Sequence, residues 1–114
     1  ENRYNSHFLI EARIPKVNNE KSLNPLTRQL LADKLATLHQ LALADGQIVK
    51  TGALLIVPAT NQVITKGGQV ATGLFSCGIP TEGIHWLTAA AARPGVDPWN
   101  MRDMDRIAAT IFNS

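Results

Sequence analysis

A chain of 114 residues with 45% hydrophobic and 18% charged side chains has the composition of a globular domain rather than a disordered segment. Eleven Lys and Arg oppose nine Asp and Glu, leaving a net charge of +2 with no run of three basic residues, a thin electrostatic footprint for nucleic acid. The single cysteine, Cys77, excludes an internal disulfide framework and a multi-cysteine zinc site.

No apolar stretch reaches the roughly 20 residues needed to span a bilayer. A lone thiol fits a reducing cytosol, so a cytoplasmic location is expected. The chain opens on Glu1 rather than methionine, which reads as processing or excision and leaves room for a signal or anchor upstream. Residues 1–114 are expected to form a single α+β domain, with 1–6 loosely held.

From His7 to Ile14 the pattern alternates. Phe8, Ile10, Ala12 and Ile14 face one side and His7, Leu9, Glu11 and Arg13 the other, the period of a half-buried strand. Pro15 to Lys21 is a polar loop. Asn24-Pro25 then supplies a capping side chain followed by a proline suited to the first helical position. Leu26, Leu30, Leu31, Leu35, Leu38 and Leu41 recur at helical spacing. The helix is predicted to run through Ala44 and to stop at Asp45-Gly46, with Gly46 as the left-handed residue after its last turn.

Short strands are predicted next, at Gln47–Lys50, Ala53–Val57, Gln62–Lys66 and Gln69–Phe75, separated by Thr51-Gly52, Pro58–Asn61 and Gly67-Gly68. Two helices close the chain. The first, Thr81–Arg93, carries Ile84, Leu87 and Ala91 on one side and stops at Pro94-Gly95. The second follows Asp97-Pro98, with Met101, Met104, Ile107, Ala108 and Ile111 inward and Arg102, Asp103, Asp105 and Arg106 outward. Asp103–Arg106 and Arg102–Asp105 are spaced to pair on its surface. The expected fold is α+β: an antiparallel sheet of about four to five strands packed against a long amphipathic helix and a C-terminal helical hairpin.

Three features invite a functional reading. Cys77, between a strand and a helix start, could be a nucleophile with His85 as its base, although a lone cysteine is more often a small buried hydrophobe. The C-terminal helices resemble a helix-turn-helix arrangement, in which Asn100, Arg102 and Arg106 would reach bases or phosphates, opposed by Asp97, Asp103 and Asp105 on the same element. The first helix is apolar over much of its circumference, so Leu31, Leu35, Leu38 and Leu43 are candidates for covering by a protein partner or a second copy. His7, His39 and His85 have no metal-ligand spacing. Lys66-Gly67-Gly68 lacks a phosphate-loop context, and no residue pattern calls for a cofactor. With no catalytic constellation intact, the expectation is a non-catalytic interaction or assembly module that self-associates or docks to a larger complex. A small DNA-binding protein is the first alternative and a thiol-dependent enzyme the second, with no ligand chemistry indicated.

Overall fold

The computed structural model describes residues 7, 8, 10, 16–86 and 95–113. Most of the expected His7–Ile14 strand and residues 87–93 of the expected Thr81–Arg93 helix lie outside them. In chain order the elements are a 3-10 turn at Asn19–Lys21, helix α1 at Pro25–Ala32, strands β1 at Leu38–Ala42, β2 at Ile48–Leu54, β3 at Gln62–Ile64 and β4 at Val70–Phe75, a second 3-10 turn at Ile79–Thr81, and helix α2 at Trp99–Phe112. The α+β class stands. The strands, however, form two antiparallel pairs, β1–β2 and β3–β4, rather than one sheet of four or five. The pairs meet in a narrow seam: Leu55 N donates to Thr37 O (2.8 Å), Ile64 N to Leu55 O (2.9 Å) and Thr37 N to Ile64 O (3.1 Å). The register is irregular in both pairs, and one isolated antiparallel bridge, Ile56 to Val63, lies at the seam.

Helix α1 starts as its residues predict. Asn24 Oδ1 accepts from Leu26 N at 2.9 Å and Thr27 N at 3.3 Å, satisfying two amides that have no partner within the helix. It ends far earlier than predicted. Lys34 turns left-handed at φ 62°, and Leu35 N and Ala36 N both donate back to Leu30 O, at 2.9 and 3.2 Å.

The segment predicted as the rest of that helix is β1, paired antiparallel with β2. Asp45-Gly46 is therefore the turn of a hairpin and not a helix stop. Leu43 N donates to Gln47 O (2.8 Å), Gly46 N to Leu43 O (2.9 Å) and Gln47 N to Asp45 Oδ1 (3.0 Å). An Asp-Gly pair between alternating runs is a strong hairpin signal, and His39, Leu41 and Leu43 do alternate with Leu38, Gln40 and Ala42. The leucines at spacings of three and four obscured that period of two. As a result the expected apolar helical face does not exist. Leu31 belongs to α1, Leu35 to the turn after it, Leu38 to β1 and Leu43 to the hairpin end. Leu31 and Leu38 pack against the core of Ala36, Leu54, Ile56 and Val63.

Strand β2 runs straight through Thr51-Gly52, which the sequence marks as a break. Gly52 has φ +84°, and a Cβ there would sit 2.1 Å from the carbonyl oxygen of Val17. The backbone of Val17 and Asn18, just before the first 3-10 turn, can approach this closely only because position 52 has no side chain. Asn19 seals the same junction from within: its buried amide donates to Gly52 O at 2.8 Å and to Pro80 O at 3.0 Å.

At the C-terminal end, the predicted Thr81–Arg93 helix is not helical where it is described. Ile84 N and His85 N both fold back onto Thr81 O, at 3.0 and 3.2 Å, in turns that continue from Ile79–Thr81. Among the described residues the helical hairpin is therefore reduced to α2. Its Asp97-Pro98 start also differs from prediction. Pro98 occupies the capping position without a side-chain bond, while Asp97 Oδ2 accepts from Arg102 Nε at 2.6 Å. The helix is rotated by about a third of a turn from the expected orientation: Asp103 is 1% exposed, whereas Met101 and Met104 are 45% and 51% exposed.

Candidate functional site

The rotation of α2 has a local cause, a buried charged cluster that joins it to the turn between Ile56 and β3. Asp103 Oδ2 lies 3.1 Å from His85 Nδ1, and Asp103 Oδ1 accepts from Arg106 at 3.3 Å. The same guanidinium nitrogen donates to Pro58 O at 3.1 Å and to Asn61 Oδ1 at 3.3 Å. His85 Nε2 is 3.2 Å from Pro58 O. A carbonyl only accepts, so a hydrogen bond at this contact is donated by Nε2.

The cluster draws on three parts of the chain. His85 ends the turns that follow Thr81, itself fully buried with its hydroxyl on Gly78 O at 2.8 Å. Asn61 is fully buried and left-handed at φ 61°, a conformation asparagine tolerates well. It is fastened to the segment after β4 by Ser76 N donating to its carbonyl (2.9 Å) and by its own amide donating to Ser76 O (3.2 Å). Asp103 and Arg106, three apart, share one face of α2. A carboxylate removed from water this completely is costly unless each oxygen is matched, and here Oδ1 accepts from the Arg106 guanidinium while Oδ2 faces His85 Nδ1. The spacing of Asp103 and Arg106 does predict their pairing, though as a surface pair. No local signal marks the pair as buried, or brings in Asn61 and Pro58.

Of the candidate residues from the sequence, His85 and Arg106 come together at Asp103 and Pro58 O. Cys77 is half-buried, and its thiol is pushed above its ordinary range by burial and, second, by the negative charge of Asp103. That is opposite to what a nucleophile needs, and both nitrogens of the proposed base, His85, face Asp103 and Pro58. Alkylation of Cys77 by iodoacetamide is expected to stay slow at neutral pH, with its midpoint above that of a free thiol. Asp103→Asn should bring the midpoint down. Because folding favours the protonated thiol, this group's contribution to stability is present below the unfolded thiol's pKa and is lost as pH rises through the folded one. A midpoint below that of a free thiol would refute the assignment.

Of the proposed nucleic-acid contacts, Arg106 is drawn into the buried cluster. Arg102 pairs with Asp97 and lies 5.5 Å from the centroid of Trp99, and the carbonyl oxygen of the Asn100 side chain accepts from Met101 N at 3.2 Å. Away from the cluster, Val17, Leu41, Val49, Thr51, Gly83 and Trp86, together with Lys16 and Glu82, line a mostly apolar groove of about 480 Å³. Among the described residues no group of three or more His, Cys, Asp and Glu could hold a metal ion. No helix there is long and apolar enough to cross a membrane.

No protein-family model matches the chain. It is 33% identical over 112 residues to an L-aspartate N-monooxygenase (nitrosuccinate-forming) of Streptomyces davaonensis, a match covering 98% of this chain and 17% of that protein. A protein of the same name from Streptomyces cremeus is 33% identical over 107 residues, with 93% and 16% covered. The nitrosuccinic acid synthase of Aspergillus oryzae is 37% identical over 106 residues, again with 93% and 16% covered. The chain thus spans about a sixth of the length of the curated relatives it matches. Relatives that are oxygenating enzymes along nearly the whole of this chain overturn the expectation of a non-catalytic assembly module. They overturn the DNA-binding and thiol-enzyme alternatives with it.

Proposed function

We propose that this chain is a segment of an amino-acid N-oxygenase that converts the α-amino group of L-aspartate to the nitro group of nitrosuccinate. The observation that carries this reading is the similarity itself: it extends over 93–98% of the chain, and relatives from two streptomycetes and a fungus share one product. A monooxygenase places one atom of dioxygen on its substrate and releases the other as water with electrons from a reductant. Repeated at nitrogen, that chemistry carries an amine to a nitro group, provided the ammonium first loses a proton and frees its lone pair.

In this reading the described residues supply support more than reacting groups. The polar groups of the His85–Asp103–Arg106 cluster are engaged with one another and with the Pro58–Asn61 turn. Such a cluster fixes the orientation of α2, and rigid elements hold a site's geometry better than loops do.

The test is turnover of the full-length protein with L-aspartate, a reductant and heavy-isotope dioxygen, read by mass spectrometry. Labelled nitrosuccinate is the expected product, with D-aspartate and L-glutamate as comparison substrates. Consumption of dioxygen without label on any amino-acid nitrogen would overturn the proposal.

A further inference from the structure

A helix on the surface of a domain ordinarily turns its apolar stripe inward, and α2 does the reverse. Asp103 is 1% exposed, while Met101, Met104 and Phe112 are 45%, 51% and 86% exposed, and Ala108 between them is exposed as well. Positions 101, 104, 108 and 112 follow the three- and four-residue steps of a single stripe. Half a turn of rotation would bury these side chains but would pull Asp103 away from His85 and Arg106 away from Pro58 O and Asn61 Oδ1. The buried cluster therefore dictates which way the stripe faces. At its border, Arg102 pairs with Asp97 and lies against Trp99. An apolar centre of methionine and aromatic side chains with a charged rim is the composition of a surface that becomes covered.

We infer that the stripe of Met101, Met104, Ala108 and Phe112 packs against the body of the same, longer monooxygenase polypeptide, an inference that rests on the function proposed above. The relatives identify the occupant: in each, the matching stretch is only 16–17% of the protein, and the remainder is the surface nearest at hand. The contact lies within one enzyme and seats α2 between the polar turn at Pro58–Asn61 on one side and an apolar surface on the other.

Methionine oxidation in the full-length native protein tests this directly. Dilute peroxide converts an accessible thioether to its sulfoxide, and peptide mass spectrometry reads Met101 and Met104 separately. Both are expected to oxidise about ten-fold more slowly than in the same protein unfolded in guanidinium. Rates within about two-fold of the unfolded protein, as their exposure in this chain alone implies, would overturn the inference. So would protection that disappears on dilution as a dimer dissociates, since a second copy would then be the cover. The readout involves no turnover. Protected methionines in a monomeric enzyme that leaves L-aspartate untouched would sink the substrate assignment and leave the docking intact, and exposed methionines in an active enzyme would do the opposite.

Discussion

Replacing Gly52 with alanine is expected to cost the chain several kcal/mol of stability, enough to abolish a soluble folded state in a domain whose total margin is about 5–15 kcal/mol. Two effects add. The backbone at φ +84° is one that side chains rarely adopt, which alone is worth about 1 kcal/mol. The new Cβ would also stand 2.1 Å from Val17 O, 3.0 Å from Val17 C and 3.1 Å from Asn18 Cα. All three are backbone atoms, so no side chain can swing aside. Relief requires moving the segment that carries Asn19, whose amide holds Gly52 O and Pro80 O. That would unfasten the first 3-10 turn from β2 and from the turn at Ile79–Thr81 together. Gly46→Ala is the control: its φ is nearly the same at +82°, yet nothing lies within 4 Å of the added Cβ. It should lose only about 1 kcal/mol. Urea titrations of the two variants side by side separate the conformational cost from the collision. Equal midpoints would show that the close approach at Val17 does not exist in solution.

The second large effect is expected at Asp103. Truncation to alanine leaves Arg106 and His85 facing each other and Pro58 O without the anion between them. Breaking a buried pair in this way costs about 3–5 kcal/mol. The lower end applies here, because the Arg106 side chain keeps 32% of its surface in water and can partly rehydrate. Asp103→Asn keeps the shape and one acceptor, so it should lose less. A double-mutant cycle with Arg106→Ala should return a coupling of about 1 kcal/mol or more. Hydrogen exchange adds a spatial readout, since the amides of α2 should lose protection before those of β2. A loss below about 1 kcal/mol, as for an exposed pair, would mean that the cluster is solvated and does not hold α2.

Much of the local structure was legible in the residues. Asn24-Pro25 announced the start of α1, Gly67-Gly68 the turn between β3 and β4, and Asp97-Pro98 a helix beginning within two residues of Trp99. These signals are short-range: a side chain bonding the backbone two or three residues on, or a ring that fixes φ, acts the same way whatever surrounds it. Longer assignments failed where two periods coincided. Leu38 and Leu41 satisfied the helical stripe and also belong to an alternating strand, and only pairing with Ile48–Leu54 distinguishes the two. The candidate site was legible in part. Asp103 and Arg106 were paired by spacing, but burial was assigned to the methionines because hydrophobicity alone ranks Met101 and Met104 ahead of an aspartate.

By itself, then, the sequence determined the α+β class, the Asn24 cap of α1 and the turn at Gly67-Gly68, the last two through interactions within a few residues. The tertiary structure alone decided that β1 is a strand, that the strands form two pairs, and which face of α2 points inward. The physical reason is common to all three. A strand's backbone groups are satisfied by residues distant in the chain, and a buried carboxylate is tolerated only where partners from other elements converge. His85 reaches Asp103 from 18 residues away, and Asn61 and Pro58 reach Arg106 from 45 and 48, separations that no pattern of neighbouring residues encodes.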